Sequence, residues 1–97
     1  MPGGGFSFEL KGLPQERVSE RFGSPAERET YRAGDRGGEF YVGIENVYPS
    51  KVPANRDVPI EEWPWTSGEC ILTVWFHRAD GVWVAFDDIY RNEEVAF

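Results

Sequence analysis

Ninety-seven residues, 40% of them apolar and 15% aromatic, suit a single domain with one modest core and argue against disorder. A formal charge of −7 makes phosphate backbones and anionic membrane surfaces poor partners, because both are bound by Lys and Arg displacing counterions, so no nucleic-acid role is expected. One Cys and one His exclude an internal disulfide and a Cys-rich zinc site, and no set of cofactor or metal ligands stands out.

The start, "MPGGGFSFEL", has neither the basic nor the apolar region of a secretory signal. No apolar run reaches the roughly 18–20 residues that span a bilayer, so direct membrane insertion is not expected. The compartment reads as cytoplasmic as written, or as cell envelope if an export segment has been removed. Residues 1–5 are expected to be a flexible start. Phe6, Phe8 and Leu10 alternate and give a weak strand signal.

"GLPQERVSERFGSP" predicts a helix of about two and a half turns. Pro14 suits its first position, Gly23 the residue just past its end, and Val18 and Phe22 share a face. A helix this short is marginal alone and must dock. Ser24 to Glu27 has the form of a capping box that can start a second short helix, but residues 28–33 suit an extended chain equally well. Ala33 to Gly38 is a turn cluster. Glu39 to Val47 alternates, with Phe40, Val42 and Ile44 on one side, and predicts a strand. Residues 48–68 hold four prolines without a clean period and predict a long loop carrying Trp63 and Trp65.

Residues 70–88 predict a hairpin about "RADGV". A two-residue loop at Asp80-Gly81 pairs Phe76 with Ala85; a three-residue loop pairs Phe76 with Val84. The three-residue register collects Leu72, Val74, Phe76, Val82, Val84 and Phe86 on one apolar face, whose burial outweighs a turn preference, and is therefore the expected one. Cys70 then falls on the core face as a small hydrophobe. Trp75, His77 and Trp83 fall on the outer face. Asp87 and Asp88, adjacent on a strand, point to opposite faces and cannot pair as acid and base unless the strand bulges. Residues 91–97 form a tail.

The expected fold is α+β, with a short N-terminal helix or helices packed on one face of a three-stranded antiparallel sheet (four-stranded if residues 6–10 add an edge). The order of elements resembles the SmpA/OmlA family, that of the BamE-like outer-membrane assembly lipoproteins. Gly12, Val18, Phe22, Gly23 and Pro25 stand at matching places, as do Phe76, Asp80, Gly81 and Val82. β-Lactamase-inhibitor proteins share that architecture. The resemblance implies an α/β sandwich and a non-enzymatic, protein-binding role. The family's lipid-bearing Cys has no counterpart here.

From the residues themselves, the expected site is a protein-binding surface made of Tyr41, Trp63, Trp65, Trp75, His77 and Trp83. Its expected occupant is a basic or apolar segment of another protein; aromatic residues are enriched at interface hot spots. Two alternatives stand beside it. One is a small hydrolase or isomerase using His77 with Asp87 or Glu69. The other is a structural domain without a partner of its own. The partner's identity and the oligomeric state are not legible.

Overall fold

A computed structural model describes residues 10–25, 27–36 and 41–92. The elements follow as α1 (Gln15–Phe22), β1 (Glu29–Arg32), α2 (Val42–Val47), β2 (Pro59–Ser67), β3 (Cys70–Ala79) and β4 (Val82–Asn92), with short 3-10 turns at Ala33–Asp35 and Pro53–Asp57. The four strands make one antiparallel sheet in sequence order, β1-β2-β3-β4. The expected strand at residues 6–10 lies outside the described residues apart from Leu10, which is buried. Helix α1 forms where the Pro14-to-Gly23 spacing predicts it, although Pro14 takes the N-cap instead of the first turn. At its end Gly23 adopts φ 81°, a left-handed backbone that favours glycine, and its N–H closes onto the Ser19 carbonyl.

Three expectations about single elements are overturned, and the third changes the layering of the fold. Residues 42–47 form helix α2, not a strand. Tyr41, Ile44 and Tyr48 are spaced three and four apart, and all three pack into one cluster; that helical stripe outweighs the short alternation of Val42 and Ile44. Val42, expected in the core, is 55% exposed. The Pro-rich stretch is not a loop throughout, since nine of its residues are β2. Pro59 opens that strand, and Pro64 stands beyond the last residue that β1 covers, where a missing N–H is tolerated. The segment from Ser24 to Glu27 starts no second helix, and the chain after it runs extended into β1.

The third correction is the hairpin register. Asp80 and Gly81 both have positive φ, 53° and 79°, as a two-residue type I′ loop requires, and Ala79 pairs with Val82 and Phe76 with Ala85. The ladder then shifts: Trp75 faces Asp87, which leaves Phe86 as the extra residue of a β-bulge. Both faces of the sheet are apolar as a result. One carries Trp63, Leu72, Val74, Phe76 and Ala85, covered by Leu10 and α1 through Val18. The other carries Tyr31, Ile60, Trp75 and Phe86, covered by Ala33 and α2 through Ile44. The helices therefore lie on opposite faces, not on one. Val82, placed in the core by the three-residue register, is 49% exposed. Arg91 and Asn92, expected in the tail, belong to β4, and the rest of the expected tail, residues 93–97, lies outside the described residues.

Phe76→Ala should cost about 3–5 kcal/mol, because the ring is fully buried beneath α1. A urea titration showing a loss under about 1 kcal/mol would remove this face from the core. Helix α2 gives a sharper test. A Cβ on Gly43 would stand 1.5 Å from Asp87 Oδ2 and 2.6 Å from its Cγ, so the helix backbone sits directly on that carboxylate. Gly43→Ala is expected to destabilise by about 1–3 kcal/mol through overpacking. Asp87→Ala in the same chain should return much of that loss, and additive effects in the double-mutant cycle would mean that α2 docks elsewhere.

Candidate functional site

The two-faced core divides the six expected site residues. Tyr41, Trp75 and His77 belong to the α2 side; Trp63, Trp65 and Trp83 belong to the α1 side. Trp75 and Trp83, expected side by side on one outer face, are separated by the sheet, because the two-residue loop pairs Trp83 with Arg78 and so reverses its face. Trp75 is 1% exposed and Trp63 2%, so neither offers a surface. The face of Trp75, expected to be the outer one, is covered by α2 and its flanks.

The buried indoles are satisfied locally. Trp75 Nε1 donates to Glu62 Oε1 at 3.0 Å and to the Tyr31 hydroxyl at 3.1 Å, while that hydroxyl donates to Glu62 at 2.6 Å. Trp63 Nε1 donates to Glu61 Oε1 at 2.6 Å. Glu61 and Glu62 are thus the acceptors that let two tryptophans be buried. Burial first, then the Glu62 hydrogen bond and charge, push the Tyr31 phenol far above its ordinary pKa.

Among the described residues no carboxylate pairs with His77. Its Nδ1 stands 2.5 Å from the Tyr48 hydroxyl, and its ring lies 4.7 Å from that of Phe86. With the proton on Nε2, the neutral imidazole accepts from Tyr48. Burial lowers the His77 pKa. Glu69 lies in the turn before β3, some eight residues along the strand and so roughly 26 Å away. Asp87 is pressed against α2 at Gly43, and Asp88 lies on the other face opposite Val74, its pKa raised by burial and by Asp87 against a lowering by Lys11. Among the described residues no group of three or more His, Cys, Asp or Glu is placed to hold a metal. Cys70 lies on the Leu72 side of β3, half-buried, with the Tyr90 hydroxyl as a hydrogen-bonding neighbour.

One expected residue does line a recess. Beyond the end of α1, Ser24 and Glu27 face Pro64, Trp65 and Thr66 of β2 across an open cleft of ≈ 440 Å³. The Trp65 ring is fixed from three sides: Nε1 donates to the Gly23 carbonyl at 3.0 Å, Phe22 packs at 5.6 Å, and Trp63 meets it edge-on at 5.8 Å. Beside it the Arg28 guanidinium lies 4.6 Å over Trp63. Ser24, Glu27 and Thr66 carried no site signal in the sequence. They become neighbours of Trp65 only because α1 ends at Gly23 against β2, a long-range contact that no local pattern announces. No family model matches the chain, and neither a curated protein nor a solved structure matches it.

The pH dependence of stability follows from these shifts. The unfolded Tyr31 phenol ionises near pH 10, while the folded one stays neutral, so stability should be flat up to about pH 10 and then fall by about 1.4 kcal/mol per pH unit for each such tyrosine. Burial raises Tyr48 as well, so Tyr31→Phe should reduce this alkaline slope without abolishing it; an unchanged slope would place Tyr31 in solvent. Towards acid, His77 has a depressed folded pKa, so its contribution is present above about pH 6.5 and is lost as the pH falls towards the folded value. Asp88 has a raised folded pKa and works in the opposite sense, gaining stability as the pH falls through it.

Proposed function

We propose that the chain is a small, non-enzymatic protein-binding domain whose docking surface is the Trp65 cleft, and that its partner presents an apolar side chain followed by a basic one. The observation that carries this is the Trp65 platform itself. Its ring is held rigid by a backbone hydrogen bond and two aromatic neighbours, yet lines an open recess with Glu27 at the rim. A large side chain already fixed in place loses little entropy when a ligand packs on it, which favours binding. The chain's charge of −7 favours a basic segment over an acidic one, through faster encounter and rejection of like charge. The resemblance to the SmpA/OmlA family points the same way, towards binding and not catalysis.

Of the six aromatic residues first expected at the interface, Trp65 lies at the centre of this surface and Trp63 backs it from below. Tyr41 and His77 belong to the opposite face, and Trp83 lies half-buried along the α1 core. The hydrolase or isomerase alternative at His77 finds less support, since the imidazole is engaged by Tyr48 and walled by Phe86. The remaining alternative is a structural domain without a partner.

A displayed random-peptide library separates these. Enriched peptides are expected to combine an aromatic or aliphatic residue with Arg or Lys. Trp65→Ala should weaken their binding at least about tenfold, in keeping with a buried aromatic anchor, while Trp83→Ala should leave it within about twofold. Failure to enrich, or binding indifferent to Trp65→Ala, would favour the structural-domain reading.

A further inference from the structure

On the α2 side of β1, Tyr31 and Tyr41 meet almost at a right angle, 88°, with ring centroids 6.3 Å apart. The Arg36 guanidinium fills the corner, 4.4 Å from the Tyr31 centroid and 6.0 Å from that of Tyr41. Its Nη1 donates to the Tyr41 hydroxyl at 3.4 Å, and its Nη2 pairs with Glu29 at 2.8 Å. Behind Tyr31 stands the Glu62 carboxylate that accepts from its hydroxyl, so the ring sits in a negative field. Two perpendicular aromatic rings and a carboxylate are the parts from which receptors for organic cations are built.

We propose that Tyr31, Tyr41 and Glu29 form a receptor for the cationic side chain of a partner's basic segment, a place that Arg36 holds in the free protein. This inference rests on the reading of the chain as a binder of basic segments and adds a second contact on the other face of the β1 edge. Three observations support exchange over a permanent staple. Arg36 belongs to no helix or strand, so only a side-chain rotation vacates the corner. Its side chain is a third exposed and its Glu29 partner half exposed, so an incoming cation can reach both. Tyr31, by contrast, is anchored in β1 opposite Ile60, so the walls persist when the cation leaves. An arginine is favoured over a lysine because a planar guanidinium stacks on one ring while bonding to the carboxylate.

The probe is the peptide acetyl-Gly-Arg-Gly-amide, with its citrulline counterpart as the neutral isostere, followed through the ring resonances of Tyr31 and Tyr41 and the indole resonance of Trp65. In the parent chain the arginine peptide should shift both tyrosine rings saturably, with a dissociation constant in the millimolar range set by one cation–π contact and one exposed ion pair. Citrulline should shift neither. Arg36→Gln should tighten binding about tenfold, the gain expected if the corner is vacant about a tenth of the time in the parent chain. Shifts in Arg36→Gln alone would show a permanent internal staple and overturn the proposal, as would their absence from both chains. Should Arg36→Gln not fold, Arg36→Lys is expected to tighten binding to a smaller degree, and the parent titration decides on its own. Shifts at Trp65 without shifts at the tyrosines would refute this corner while leaving the Trp65 cleft standing; tyrosine shifts in a chain whose library selections ignore Trp65 would do the reverse.

Discussion

The register of β4 on β3, set by a two-residue loop and adjusted by a one-residue slip at Phe86, is the constraint on which the rest of the structure depends. The Asp80-Gly81 loop sets the ladder so that Phe76 meets Ala85. If that register ran on unbroken, Asp87 would face Val74 in the α1 core and Ile89 would follow it there. The bulge moves both across the sheet. Asp87 then faces Trp75 and Ile89 packs beneath the α2 cluster. Asp88 takes the place opposite Val74, on the edge strand β4, where partial burial raises its pKa. The two-residue loop already puts Phe86 on the Trp75 side, the slip adds Ile89 beside them, and α2 docks on this second apolar face. Six residues of helix have no independent stability, and their docking on Trp75 and Phe86 is what keeps them helical.

A sheet covered on both faces leaves little aromatic surface to a partner. Trp75 and Trp63 are consumed by the two cores, and each takes a glutamate of β2 as its hydrogen-bond acceptor. The consecutive pair Glu61 and Glu62 serves both, because alternation along a strand sends one carboxylate to each face. What stays accessible lies where coverage runs out, past the end of β1 and past the end of α1. Trp65 stands there, three residues beyond Glu62, the last position that β1 pairs.

This division explains which features the sequence disclosed. Helix α1 was legible because its stop signals are local: Gly23 takes the left-handed backbone and Pro25 prevents continuation. The existence of β3, β4 and their turn was legible for the same reason. The register was not. Choosing a register by face consistency assumes one wet face, and here both faces are dry, so either register looks apolar somewhere and only the positive φ of both loop residues decides. Tyr41, Ile44 and Tyr48 did carry a helical spacing, hidden by the competing alternation of Phe40, Val42 and Ile44 over the same few residues. Strand β2 was hidden by its prolines, whose tolerance depends on the short reach of β1, a tertiary fact. The Trp65 cleft pairs residues some forty positions apart, and no periodicity reports such a meeting.

The scarcity of cations in this chain gives the edge around β1 a particular character. Ten Lys and Arg stand against seventeen Asp and Glu, so a stray basic side chain could pair with an acid almost anywhere. Yet Arg28 lies over Trp63 on one side of β1 and Arg36 over Tyr31 on the other. Exposed ion pairs in water contribute little, whereas a guanidinium laid on a ring covers apolar surface as well as meeting its negative face. The same arithmetic applies to a foreign guanidinium. A partner's arginine gains little from scattered carboxylates, and more from a ring already flanked by one. On the binding proposed above, the acidic charge of the domain would draw a basic segment in, and the aromatic rings beside β1 would determine where it comes to rest.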